Sequence, residues 1–436
     1  MQDKNLSLQI NSLMLLSVCS IALLLVLTNS ITTLGQNIPQ EDLVTDYTIG
    51  VIWAIILGIG ILILPIQDKS VVFTLWLAKC FVTLVGMLFY EANYGLDSYG
   101  YFDSPRDSSF QFTGLQIDNG TENIKNLVWL YYRVMPESFH ALKVSFAMVG
   151  LMAIYIFYRA AVISLQKPDI RILYALGLFP SILFWSSIIG KDPIVLLGIS
   201  IYVYGVVGWY KFNKIRYLLI LSLGVFLATL IRSWLAVILL TPMAFVSVQS
   251  VRGILPKFTL TVVMIGALIL AWGLLQQQTG IENYEDTLAT VDTTSRGLRQ
   301  GGSAQDVTAD FSQGNQAIAY IPIGIFSALF RPLPGEILNP FGLMASLENL
   351  WLLRRLWLAL KRTRWKEVKT PLIQWAILFV LIWATFYGFL SQNLGTAARF
   401  KLQILPVLLS LLLYLGRQRQ NVPATQPFLV TNKAKK

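Results

Sequence analysis

The chain has 436 residues, 55% of them apolar and only 13% charged, with a mean hydropathy of +0.61 and a net charge of +11. A soluble domain carries about a quarter charged residues, so this is the composition of a membrane protein and it excludes an ordinary soluble enzyme. The single histidine, His140, excludes a multi-histidine metal site, and the two cysteines, Cys19 and Cys80, lie inside apolar runs and supply neither a disulfide framework nor a metal knuckle.

A helix needs roughly 20 apolar residues to cross the ~30 Å hydrocarbon core. On that criterion the expected architecture is all-α and polytopic, a single transmembrane domain over 1–436 with about twelve spans. They run near 8–28, 50–66, 71–89, 140–158, 171–189, 193–210, 215–231, 234–249, 258–275, 338–358, 371–390 and 402–416. The first is read as an uncleaved span, because only Lys4 precedes it as a basic residue and no small-residue cleavage pattern follows. With the N-terminus inside, the inner loops collect Lys69, Arg159, Lys211, Arg216, the Arg354–Lys369 cluster and the tail from Arg417. The positive-inside rule then holds at every inner loop, which places both termini in the cytoplasm. Topology thus accounts for the basic charge, leaving no stripe for a nucleic acid.

Two outer segments are long, 90–139 and 276–337. The first opens with EANYGLDSYGYFDSPRD, Glu91–Asp107, in which acidic residues alternate with aromatics. The second holds a Gly-, Ser-, Gln- and Asp-rich stretch expected to be a mobile loop. After it, Ala317–Phe330 is apolar but too short to cross, and is expected to form an interfacial or re-entrant helix.

The acids of the first loop are the candidate catalytic groups: Asp97 first, then Asp103 and Glu91. A carboxylate at a hydrophobic boundary can deprotonate a sugar hydroxyl. A pair, Asp97 with Asp103, can hold a divalent cation such as Mg or Mn. Tyr94, Tyr99 and Tyr101 are candidates for stacking on sugar faces. Against all of this, outer loops are commonly acidic for solubility alone.

The outer cations are informative because the topology rule prefers them inside. Lys191, Arg232, Arg331, Arg399 and Lys401 all fall near the ends of spans. Arg232 sits where the long apolar run 216–248 must fold back, and a guanidinium there is costly unless an anion awaits it. The alternative is snorkelling to lipid phosphate. Asp192, just before Pro193, reads as an ordinary N-cap. Lys79 and Glu348 lie within spans at similar depth and are expected to neutralise each other. His140, at the outer start of its span, is either a base or simply an interfacial histidine.

Three patterns, LFPSILFWSSIIGKDPIVLLG (178–198), LFRPLPGEILNPFGLMASLENLWLL (329–353) and NLGTAARFKLQILPVLL (393–409), resemble polytopic proteins of bacterial exopolysaccharide and O-antigen loci. The likeness is to the GT-C class of glycosyltransferases and to the O-antigen polymerase and ligase group. It implies a polyprenyl-linked sugar donor, a saccharide or lipid-linked acceptor, and a site on the outer face of the inner membrane among its lipids, alongside other polysaccharide-assembly proteins. It also implies Asp97 as base or metal ligand, and Arg232, Arg331 and Arg399 as binders of the donor pyrophosphate. Three spans precede Asp97 here, where GT-C enzymes usually have one. A flippase for lipid-linked saccharide and a non-catalytic assembly subunit are the alternative expectations.

Overall fold

The structure, a computed structural model, describes residues 26–117, 119–250, 284–297, 299, 303–305, 309–390 and 392–419, with isolated positions between 253 and 276. Among these residues all regular structure is helical, apart from one isolated antiparallel bridge between Ala304 and Asn393. Among the described residues five helices are long and apolar enough to cross a membrane: Leu43–Ile63, Lys69–Asn93, Phe139–Leu165, Lys191–Phe212 and Pro371–Leu390. A sixth candidate is the pair Leu394–Gln403 and Leu405–Leu415, bent by 73°. The expected spans at 8–28 (nearly all of it) and 258–275 (all but isolated positions) lie outside the described residues.

One helix forms the centre. Lys191–Phe212 is flanked by Phe139–Leu165 and by Ile215–Ile231. Backbone approaches backbone on the second side: a Cβ on Gly224 would stand 2.3 Å from the amide nitrogen of Tyr202. Small residues permit that approach, and close packing is the main attraction between helices where lipid is as apolar as leucine.

The expected span 171–189 is not one helix. It is Ile170–Gly177, then Pro180–Trp185, then a turn to Gly190 at φ 149°. Pro180 removes a backbone donor and holds Phe179 extended, and Gly190 takes a φ that side chains disfavour. Hydropathy alone does not register such a break.

This broken segment is held from both sides by charges that sequence reasoning paired with each other. Lys79, fully buried, donates to the carbonyl of Ser186 at 3.0 Å and to the hydroxyls of Ser186 at 2.6 Å and Ser187 at 2.9 Å. Glu348 accepts from the amide and hydroxyl of Ser181 at 3.0 and 2.8 Å. The expected Lys79–Glu348 pair is therefore corrected: each contacts the opposite end of 181–187. Desolvated charges need polar partners, and the frayed helix ends supply them.

The described parts of the two long segments are folded caps. The first contains the helices Asp97–Asp103 and Gly120–Tyr132, with Asn123 donating to the carbonyl of Leu230 at 2.6 Å. In the second, Gln305 donates to Gln392 O at 2.8 Å and Leu394 to Ser303 O at 2.9 Å, while Phe311 is buried against Tyr320 and Phe389. The described part of that stretch is docked, unlike the mobile loop expected. The short apolar helix is Gly314–Phe330, three residues longer at its start than expected, and it lies along Pro371–Leu390 with Gly324 against Gly388.

Polar clusters sort to the two ends of the bundle. One end holds Asp46, Glu91, His140, Lys143, Asp192 and Arg232. At the other, Arg159 meets Gln67, and Arg417 and Arg419 clasp Glu367.

Candidate functional site

Asp192 is the centre of the first end. Gly190, not Asp192, is the N-cap of Lys191–Phe212, so Asp192 lies inside the first turn, where the helix macrodipole favours a carboxylate. It is buried, and two arginines reach it from distant parts of the chain. An Nη of Arg232 lies 3.2 Å from Oδ1, and Nε of Arg399 lies 2.5 Å from Oδ2. Arg232 closes the Ile215–Ile231 helix in extended backbone, φ −145° and ψ 98°, which turns its side chain back under the cap. Its guanidinium also stands 4.2 Å from the ring centroid of Phe400, a cation–π contact strengthened by desolvation. The neighbouring residue, Arg399, belongs to the last turn of Leu394–Phe400.

Asp97 completes the constellation. As first residue of its short helix it stands 3.6 Å from Nη1 of Arg399, with a side chain 65% exposed against 26% for the arginine and 6% for Arg232. Lys191 donates to the hydroxyl of Thr121 at 2.8 Å. The cations Lys191, Arg232 and Arg399 thus outnumber the carboxylates Asp97 and Asp192 by one. Of the two acids, only Asp97 faces solvent. Burial, followed by the charge of Asp97, pushes the Tyr101 phenol up to about 12.

A small, open cleft lies beside Arg399, walled by Tyr90, Leu96, Asp97, Ser98, Trp185, Ile188 and Ile189. Tyr90 stands perpendicular to Phe184, Trp185 and Phe341, at centroid distances of 5.3, 5.8 and 5.1 Å. The broken segment 178–190 therefore contributes an aromatic wall as well as the turn leading into Asp192.

The remaining expected site residues go elsewhere. Glu91 is 2% exposed and is gripped by Lys143 Nζ at 2.8 and 3.0 Å. It lies outside the cleft, in a buried layer with Asp46, whose carboxylate pairs with His140 Nδ1 and accepts from the amide of Phe139 at 2.8 Å. That pairing commits His140 to holding two helices together. Asp103 is exposed and turned to Arg106 at 3.6 Å. It is six residues from Asp97, about 240° round the helix axis, so the two do not converge on one ion. Among the described residues no group of three or more His, Cys, Asp or Glu is placed to hold a metal.

Arg331 and Lys401 form a neighbouring cluster of their own. Arg331 pairs with Glu336 at 2.5 Å and with Gln305, while Lys401 is buried and donates to Arg331 O at 3.0 Å and Asn349 Oδ1 at 2.6 Å. Of the expected stacking residues, Tyr99 donates to Glu91 O at 2.9 Å, Tyr101 is buried under Gly190, and Tyr94 bonds Asn339 at 3.0 Å. Lys143 and Trp185 were not singled out in the sequence, and Asp192 was read there only as an N-cap. The excess of cations at span ends was a signal for the hub, since a buried arginine, Arg232, beside the half-buried Arg399 needs an acid nearby.

The cap is seated tightly on the turn that carries Arg232. A Cβ on Gly120 would stand 2.1 Å from the carbonyl oxygen of Ile231. Gly120→Val is therefore expected to lift the Gly120–Tyr132 helix, break the Asn123–Leu230 bond and cost about 1–3 kcal/mol. Thermal unfolding in nanodiscs checks this, and an unchanged transition would show that the cap is not seated as described.

No protein-family model, no curated protein and no solved structure matches the chain.

Proposed function

We propose that the protein is a membrane glycosyltransferase or polysaccharide polymerase, transferring sugar from a polyprenyl phosphate or pyrophosphate donor to a saccharide acceptor. In this reading it is a GT-C-like protein of about twelve spans, in a bacterial inner membrane. Both termini are cytoplasmic and the site faces outward. The observation that carries the reading is the pairing of an exposed carboxylate, Asp97, with Arg399 at 3.6 Å, at the wall of a cleft lined by aromatics. Its position at the end of the bundle opposite the arginines around Glu367 agrees with the positive-inside orientation.

The chemistry follows from the charges. Asp97 takes the proton of the acceptor hydroxyl, the oxygen attacks the anomeric carbon, and the bond from that carbon to the donor phosphate oxygen breaks. Negative charge grows on the leaving phosphate, where Arg399 meets it, its planar fork suited to phosphate oxygens. Arg232 and Lys191 add positive potential from behind. Because Asp97 and Asp103 do not converge, no step is routed through a metal.

The test uses the purified full chain in nanodiscs with lipid-linked oligosaccharides from its own host, measuring release of polyprenyl phosphate or pyrophosphate. Wild type is expected to release it. Asp97→Asn and Arg399→Ala are each expected to lose about a hundredfold or more in rate. Movement of the lipid-linked sugar between leaflets without release would replace this reading with a flippase.

A further inference from the structure

The helix Pro340–Arg362 starts beside the first cap, where Asn339 bonds Tyr94, and ends at the arginines around Glu367. One stripe of it is exposed from end to end. At about 100° per residue, Leu343, Leu347, Leu350, Arg354, Trp357 and Lys361 fall within about 80° of arc, and all six are exposed. The stripe changes character along the axis. Its first half is leucine alone; its second half is cationic and aromatic, with Lys361 Nζ 5.1 Å from the ring centroid of Trp357. Arg354 and Lys361 lie about 10 Å apart along the axis. Beyond the helix end Trp365 is 73% exposed, and Lys366 and Lys369 after it are exposed as well.

The charge of this stripe is unmet. Among the described residues Arg354, Lys361, Lys366 and Lys369 make no ion pair, and the one acid close to them in sequence, Glu367, is occupied by Arg417 and Arg419. Residues 420–436 contain no Asp or Glu. Arg355 takes no part, since its guanidinium lies 4.6 Å from the ring centroid of Trp351. A face that is apolar for two turns and then carries tryptophan among cations matches a leaflet followed from acyl chain to headgroup. A soluble polyanion or an acidic protein would meet the cations but leave three leucines in water.

We propose that this stripe binds an anionic phospholipid of the leaflet at that end of the bundle. Its phosphate lies between Arg354 and Lys361, its glycerol is level with Trp357, and its acyl chains run along Leu350, Leu347 and Leu343. The proposal uses neither the cleft nor the transferase reading, and adds a binding surface at the opposite end of the molecule. Charge sets the selectivity: phosphatidylglycerol carries a net negative charge and phosphatidylcholine does not. Each basic side chain at the headgroup level adds to the attraction, and salt screens it.

The test titrates the purified full chain in detergent with phosphatidylglycerol or phosphatidylcholine and counts retained lipid by native mass spectrometry. Wild type is expected to hold phosphatidylglycerol about tenfold more tightly than phosphatidylcholine. Arg354→Gln with Lys361→Gln should weaken phosphatidylglycerol about ten- to thirtyfold and leave phosphatidylcholine untouched. Both side chains are exposed and unpaired, so the unfolding temperature should not move. The control is Lys211→Gln with Lys214→Gln, which removes the same charge from other exposed positions at the same end and should leave phosphatidylglycerol binding unchanged. Trp357→Ala should weaken both lipids. Equal retention of the two lipids by wild type would overturn the proposal. So would equal losses in the two double variants, which would reduce the stripe to part of a diffuse positive field. Displacement of the lipid by free glycerophosphoglycerol at the lipid's own affinity would overturn it too, since the leucines would then contribute nothing and the ligand would be a soluble anion.

Discussion

Asp192→Asn is expected to unfold more easily than wild type by about 3–5 kcal/mol, the cost of breaking a buried ion pair, and to lose transfer altogether. The carboxylate serves Arg232 at 3.2 Å and Arg399 at 2.5 Å, from a buried position at the first turn of a central helix. Neutralising it leaves Arg232, 6% exposed, without its carboxylate, and Arg399 with only the more distant Asp97 at 3.6 Å. Coulomb repulsion between them then adds to the lost attraction, and Arg399, being the more exposed, is the one free to swing away. Arg399 is also the arginine that lines the cleft, so the structural loss and the functional loss share a cause. Unfolding in nanodiscs and release of polyprenyl phosphate, measured on the same preparation, check both. Wild-type stability in Asp192→Asn would mean that the arginines are neutralised by other partners. Wild-type transfer in it would remove Arg399 from the chemistry.

Much of the architecture was legible because membrane insertion reads hydropathy and charge locally. Leu43–Ile63, Phe139–Leu165, Lys191–Phe212 and Pro371–Leu390 all form where apolar length demands them. Span 171–189 failed that reading, since a window average is blind to Pro180 and to a glycine at φ 149°. The site was legible in kind and less so in detail. Topology marks outer cations as exceptional, which brought Arg232 and Arg399 forward together. The same rule also raised Arg331 and Lys401, and it has no means of dividing four cations between two clusters. Asp192 shows the limit most clearly. Asp followed by Pro at a helix start has a sufficient local explanation, whereas its partners lie 40 and 207 residues away. Local grammar explained the residue before its long-range role could appear.

Glu91 and Lys143 bring the second large effect, and they separate a structural acid from a catalytic one. Lys143→Met alone is expected to cost about 3–5 kcal/mol, since it leaves the Glu91 carboxylate buried without its partner. Glu91→Met alone should cost a similar amount by stranding the ammonium. The double variant, Glu91→Met with Lys143→Met, should recover most of the loss, because a buried pair replaced by well-packed apolar groups is often neutral or stabilising. Recovery here depends on the neighbouring layer: Asp46 is already paired with His140, so removing both charges leaves no orphan behind. Double-cycle unfolding measurements give the coupling directly. The same variants decide the role of Glu91 in transfer. It is 2% exposed, both its oxygens are held by Lys143, and it does not line the cleft. The refolded double variant should therefore transfer sugar at close to the wild-type rate. A double variant with restored stability and no transfer would return Glu91 to the catalytic role that its place in the acidic loop suggested. It would also require the cap over it to open during turnover, because the path to Glu91 is closed as the helices now stand.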